Sequence, residues 1–212
     1  MKNKFKFFIY IFFYSFLNLN NISANTDFIF EGESIEFLEN GNLVIAKNGV
    51  EITYGDDLKI FSDQSNYSKV TKQLSLTGNV IIIDKKKNLV IKSNKVDYDK
   101  NLELILSKEQ TTINIDNSYN IKTKNIKYLR LKGIIESKEK TVLEDNFTNK
   151  LETNSFIYFQ NKKEFRSDDL ILTDKYLNKY FSNEAALNLT KNEIAAKDIK
   201  VYFSKNGDFG EN

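Results

Sequence analysis

Residues 74–83 read LSLTGNVIII. Apolar side chains fall at Leu74, Leu76, Val80 and Ile82 in one alternating phase, and Gly78-Asn79 interrupts the run. Alternation sends successive side chains to opposite faces, the mark of a half-buried strand. A glycine inside such a run predicts a bend, a bulge or a close backbone approach. The same grammar recurs along the chain, so the stretch reads as one unit of a repeated β design.

Three columns of residues carry the repeat. Ile60, Ile91, Ile121 and Leu151 stand 31, 30 and 30 residues apart. Phe37, Tyr67, Tyr98, Tyr128 and Tyr158 are spaced by 30, 31, 30 and 30. Ile52, Ile82, Ile113, Leu143 and Leu172 advance by 30, 31, 30 and 29. One period shared by independent columns means stacked supersecondary units. Inside each unit, pairs such as Ile35/Phe37, Val96/Tyr98, Ile126/Tyr128 and Phe156/Tyr158 share a strand face. Leu102/Leu104/Leu106 and Ile113/Ile115 follow the same spacing. Between the runs sit Asn- and Gly-rich turns, including Asn40-Gly41, Asn48-Gly49 and Gly55-Asp56-Asp57, which accept the positive φ of hairpin turns. The expected fold class is therefore all-β, built from antiparallel repeats of about 30 residues. Asp174–Ile199 departs from the pattern. Its alanine pairs, Ala185-Ala186 and Ala195-Ala196, leave room for a short helix at Asn183–Leu189, with strand spacing returning at Ile199, Val201 and Phe203.

Lys2, Lys4 and Lys6 precede an apolar run from Phe7 to Leu19, then Ile22-Ser23-Ala24. A basic start, a short apolar middle and a small residue at the cut site form a secretory signal peptide. Cleavage is expected after Ala24, giving a signal peptide at 1–24, a β domain at 25–204, and a loose end or the start of a linker at 205–212. The alternative is an uncleaved membrane anchor. The formal charge of +2 includes the three leader lysines; without them 28 basic residues face 29 acidic ones. A near-neutral body argues against nucleic acid, which calls for a basic patch. The chain contains no Cys and no His, which removes disulfides, thiolate metal sites and the commonest general base.

By composition an apolar strand face fits a sealed sandwich core or a lipid groove, because both are lined by Ile, Leu, Val and Phe, and spacing alone favours the sealed core. Other function classes stay open beside these. Repeated β units also occur in polysaccharide-active enzymes and in passive scaffolds. The carboxylate pairs Asp56-Asp57 and Asp168-Asp169 are adjacent residues that face opposite ways on a strand, so neither is a ready acid/base couple. No catalytic residue, metal ligand set or cofactor is expected.

The unit with Leu74, Leu76, Gly78, Asn79, Val80 and Ile82, followed by Leu89, Ile91, Val96 and Tyr98, resembles the OstA-like domain of lipopolysaccharide transport proteins. A looser copy precedes it, with Asn48-Gly49-Val50 and Ile52, then Leu58, Ile60 and Tyr67. Later units lack the Gly-Asn, reading Glu109-Gln110-Thr111-Thr112 and Glu139-Lys140-Thr141-Val142. The resemblance spans about 28–106 by motif and 28–204 by architecture. It implies an open, twisted β-jelly-roll whose V-shaped interior carries lipid A acyl chains across the periplasm of a Gram-negative envelope. Within the family, the chain is most like the N-terminal periplasmic domain of outer-membrane assembly proteins, and next like the soluble bridge proteins. The implied partners are lipopolysaccharide, a periplasmic bridge protein of the same fold, and an outer-membrane lipoprotein if a barrel follows. Placed by alternation, the groove wall would be Phe37, Ile52, Leu74, Leu76, Val80, Ile82, Ile91, Tyr98, Leu104 and Ile113. A docking edge strand would carry Phe28, Ile29, Phe30 and Ile35. A slip of one residue in phase would turn any of these to the other face.

Overall fold

The structure, a computed structural model, describes residues 27–204. The expected signal peptide and the end at 205–212 lie outside the described residues. The strands run β1 (Ile29–Glu31), β2 (Ser34–Leu38), β3 (Leu43–Tyr54), β4 (Leu58–Ser68), β5 (Gln73–Asp84) and β6 (Leu89–Asp99). Then come β7 (Leu104–Ser107), β8 (Gln110–Ile115), β9 (Tyr119–Lys124), β10 (Lys127–Leu129), β11 (Ile134–Ser137) and β12 (Thr141–Asp145). The chain continues through β13 (Lys150–Thr153), β14 (Ser155–Phe159), β15 (Glu164–Thr173), β16 (Lys179–Asn188), β17 (Glu193–Lys197) and β18 (Lys200–Tyr202). They pair, all antiparallel, into one 18-stranded sheet.

That sheet is doubled over along a spine. Each long strand serves two layers. In β3, residues 43–47 pair with β2 while 51–53 pair with β1. In β5, the ladder to β6 breaks between Thr77 and Val80. The bend there is Gly78-Asn79, both at positive φ. A Cβ on Gly78 would stand 2.2 Å from an Asp63 carboxylate oxygen, so only glycine fits that corner. Asn48-Gly49 makes the same bend in β3. Where the later units lack Gly-Asn, the strand splits into two pieces, β7 and β8 around Lys108-Glu109, and β11 and β12 around residues 138–140. Layer A runs from β2 through the 64–68, 73–77 and 95–99 halves to β7, β10, β11, β14, the first half of β15, the second half of β16, and β17. Layer B runs from β1 through the 50–54, 58–61, 80–84 and 89–93 halves to β8, β9, β12, β13 and finally β18.

The spine has a chemical signature that alternation did not reveal. At a bend the backbone loses ladder partners, and buried N–H and C=O groups must find others. Ser62, Ser93, Thr123, Thr153 and Ser182 recur 29 to 31 residues apart along it. Ser107, Ser137 and Ser167 form a second such column. Thr153 Oγ1 donates to the Asp168 carbonyl at 2.6 Å, Ser182 Oγ to that of Lys197 at 2.7 Å, and Ser137 Oγ to that of Lys124 at 2.7 Å. Hydroxyl bonds also link Ser107 to Thr111 and Thr141 to Thr123.

One expectation is corrected outright. Asn183–Leu189 is not a helix; residues 183–188 lie in β16 and Leu189 begins the turn after it, with Ala185 and Ala186 facing Ser167 and Arg166 of β15. Alanine has the highest helix propensity, but propensity differs between ordinary residues by less than about 1 kcal/mol each, and pairing to strands on both sides outweighs it. The period continues through this segment, since Leu187 follows Tyr158 by 29 residues.

Candidate functional site

The space between the two layers is the candidate site. Ile52, Leu74, Leu76, Val80, Ile82, Ile91, Tyr98 and Ile113 all point into it and are buried. From Val44 to Ile135 these side chains meet one another, and the interior is filled by the protein itself. Tyr54 of layer B and Tyr98 of layer A, for example, stand 6.3 Å apart ring to ring.

Three expected positions differ. Leu104 faces outward and Ile105 takes its place in the interior. Ile105 lies directly opposite Tyr98 across the ladder, so the turn at Lys100–Glu103 resets the phase by one residue. Phe37 pairs with inward-facing Val44, but on the first strand of its layer it is 63% exposed, with the Lys69 ammonium 5.7 Å from its ring centre. Phe28 is no edge-strand residue: it precedes β1 and is tucked inside at 8% exposure. Ile29 and Phe30 do lie on the β1 edge and Ile35 on the β2 edge, with Ile29 exposed.

Opposite the spine, hairpin turns of the two layers line a mouth. Cations on the layer A lip reach carboxylates on the other side. Lys100 Nζ donates to Asp27 Oδ1 at 2.9 Å. Arg130 donates from Nε across the mouth to Asp84 Oδ2 at 3.0 Å, and from Nη1 to Glu103 Oε2 of its own lip at 2.9 Å. Lys163 Nζ sits 2.5 Å from Asp116 Oδ2. The tyrosine column points at the same seam. Tyr67 donates to Asp27, Tyr98 to Glu103 and Tyr128 to Asp84. Burial pushes the Tyr98 and Tyr128 hydroxyls up, and the carboxylate beside each pushes them further, so both stay protonated donors. Burial alone would lower Arg130, but Glu103 and Asp84 outweigh it and hold the guanidinium above its ordinary range.

Past Ser137 the filling thins. The inward column Val96, Ile126, Phe156 ends in Ala185, and the tyrosine column ends in Leu187. A cavity of about 250 Å³ opens between the layers, lined by Leu143, Leu151, Leu172, Leu187, Tyr119 and Ile194 among others. A more polar recess of about 390 Å³ adjoins it at the mouth and shares Tyr119, Asp145, Phe147, Leu189 and Asn192. Here the layer B aspartates no longer reach across. Asp145 accepts from Phe147 N, Asn149 N and Asn149 Nδ2, and Asp174 treats its own turn in the same way. Tyr158, buried at the boundary, has no hydrogen-bond partner for its hydroxyl among the described residues. The column of Ile52 and Ile82 leads through Leu143 to Leu172, so the repeat did point here, although the expected wall stopped at Ile113. Among the described residues, no group of three or more Asp and Glu side chains is placed to hold a metal ion.

A further groove of about 690 Å³ is lined by layer A alone, both by outward-facing Ile157, Arg166, Ala186 and Ala195 and by Phe156 and Ala185 of the inward column.

The model of the OstA-like protein family matches residues 20–130. The chain belongs to that family. The match covers the bends at Asn48-Gly49 and Gly78-Asn79 and ends at Arg130, the residue that bridges Asp84 and Glu103. None of the curated protein sequences compared with this OstA-like chain matches it. Among solved structures, it is similar to LptH, the LptA-homologous periplasmic component of the lipopolysaccharide transport device of Pseudomonas aeruginosa. That alignment covers 69% of this chain and 94% of LptH, at 11% identity and a TM-score of 0.31.

Proposed function

We propose that this OstA-like chain is a periplasmic conduit that passes lipopolysaccharide along its apolar interior toward the outer membrane. One observation carries the reading: a single apolar seam between the layers that opens into a leucine-lined cavity at Leu143, Leu151, Leu172 and Leu187. Burying a methylene is worth about 0.8 kcal/mol, so an acyl chain of about a dozen carbons resists water by roughly 10 kcal/mol. A multi-chain lipid crosses an aqueous gap only if something shields those chains. A wall of repeated units does so without trapping them at one tight spot. The task needs apolar walls and lips that part, with no bond made or broken.

Among the described residues, both ends of the doubled sheet leave strands unpaired on one side, an arrangement suited to strand addition by another chain. The β1/β2 end, with Ile29, Phe30 and Ile35, is the proposed dock for a bridge protein of the same fold. Partnership with an outer-membrane lipoprotein would apply where a barrel accompanies the domain.

A photo-crosslinking residue at position 172, in the cavity, tests the conduit against position 142, where Val142 faces out of the same layer. Lipopolysaccharide is expected to be captured from 172 and not from 142. Equal capture from both, or none from 172, overturns the conduit. Capture from 82 and not from 81 would extend the path into the filled stretch.

A further inference from the structure

Asp27 and Phe28 belong to no strand, yet they close the first end of the interior. The Phe28 ring stands 4.9 Å from that of Tyr67, 5.1 Å from Tyr54 and 5.6 Å from Tyr98. Tyr54 comes from layer B and the other two from layer A, so the ring occupies the gap between layers. Asp27 fastens it there. Its Oδ1 accepts from Lys100 Nζ at 2.9 Å, Phe28 N at 3.1 Å and Tyr67 OH at 3.2 Å. The Lys100 ammonium also lies 5.6 Å from the Phe28 ring centre and 5.3 Å from that of Tyr54.

Phe28 differs from the strand-borne residues that fill the interior around it. The β1 ladder begins with Ile29 opposite Thr53, so the Phe28 backbone takes no part in strand pairing. Its ring can leave without breaking a sheet hydrogen bond, whereas withdrawing Ile52 or Leu74 would tear the ladder. What it would leave behind is a gap walled by three aromatic rings, in line with the apolar seam.

We infer that the cradle of Tyr54, Tyr67 and Tyr98 is a second site for a hydrocarbon chain, stoppered by Phe28 and uncovered when the Asp27–Lys100 catch lets go. This deepens the conduit reading and rests on it: a lipid tail using the first end of the seam must displace this ring. A chain that binds only the unstoppered form has its apparent affinity reduced by the fraction unstoppered. Weakening the catch therefore raises affinity without adding any contact to the ligand.

The chain has no tryptophan, so F28W installs a single fluorescent indole in the stopper. In the secreted full-length protein, lauric acid serves as the probe. The indole is expected to emit in the blue and resist iodide quenching without lauric acid, then shift to the red and become quenchable as lauric acid is added. Adding D27N should lower the half-shift concentration by up to about fivefold. An indole that stays blue and shielded throughout, while a crosslinker at position 172 captures lauric acid, overturns the stopper and leaves the conduit standing. No capture at 172 removes the conduit, and the stopper with it. Should F28W fail to fold, F28A with a benzophenone side chain at position 54 replaces it. About fivefold more lauric acid captured than with Phe28 present supports the stopper; equal capture overturns it.

Discussion

Between Val44 and Ile135 the two layers press together on isoleucine, leucine and tyrosine, and charged residues bind across the mouth. Beyond Ser137 the same repeat leaves a gap, and its aspartates turn back on their own hairpins. The backbone plan does not change between the two regions. What changes is side-chain size at two inward columns and the use of one carboxylate oxygen per unit. Asp84 gives one oxygen to Lys87 N within its own turn and the other to Arg130. Asp145 commits both of its oxygens to its own turn. A repeat can thus be filled or open without altering its fold, and the cavity is placed by substitution within a fixed frame.

Three measurements would break or sharpen this contrast. The largest effect is expected from R130M, which strands Asp84 and Glu103 in a site where both are almost fully covered. Breaking a buried pair in this way costs about 3–5 kcal/mol, read as a lower urea midpoint. In the open region, R166M removes the pair between half-exposed Arg166 and Glu164 together with the guanidinium's contact over the Phe159 ring, and should cost no more than about 2 kcal/mol. Comparable losses would mean that the clasps do not distinguish the regions.

Core truncation comes next. L74A empties a filled, fully buried site and should cost about 2–5 kcal/mol. L172A borders space that already exists, and its loss should fall at or below the lower end of that range. Equal losses would show the second region to be as tightly packed as the first.

The smallest effect concerns the catch at the first end. Burial pushes the Asp27 carboxyl up, but hydrogen bonds from Lys100, Phe28 N and Tyr67 more than reverse this, leaving it below its ordinary value of 3.8. A carboxyl depressed on folding stabilises above its unfolded pKa, and that stabilisation is lost as pH falls through the folded value. Asp27 is half exposed, so the gain is discounted for solvent to less than about 1 kcal/mol. The stability gap between wild type and D27N should be full at neutral pH and close as the pH drops below about 4. A gap that widens in acid would contradict the assignment.

The stacked units, the bend at Gly78-Asn79 and the inward phase through Tyr98 were legible because alternation and period are local. Leu104 was misplaced because the turn at Lys100–Glu103 separates the Val96/Tyr98 phase from the leucines that follow, and nothing in the spacing says which phase resumes. The clasps were illegible for another reason: Asp84 and Arg130 are 46 residues apart and meet only once the sheet has doubled over. The opening was in view but misread. Ala185, which hinted at a helix, is the small residue that ends the inward column and leaves room. The spine hydroxyls went unnoticed because serine and threonine look like ordinary polar faces until the bend buries them.

Those hydroxyls bear on how the molecule could work. A rotatable O–H follows its acceptor through a change of angle, as a fixed ladder bond does not. Along the gutter of this folded page, Thr153, Ser182 and Ser137 keep the carbonyls of the bend partnered by side-chain rotors. The two leaves are therefore bound like a book, and turning them apart is opposed at the fore-edge while the binding stays sewn.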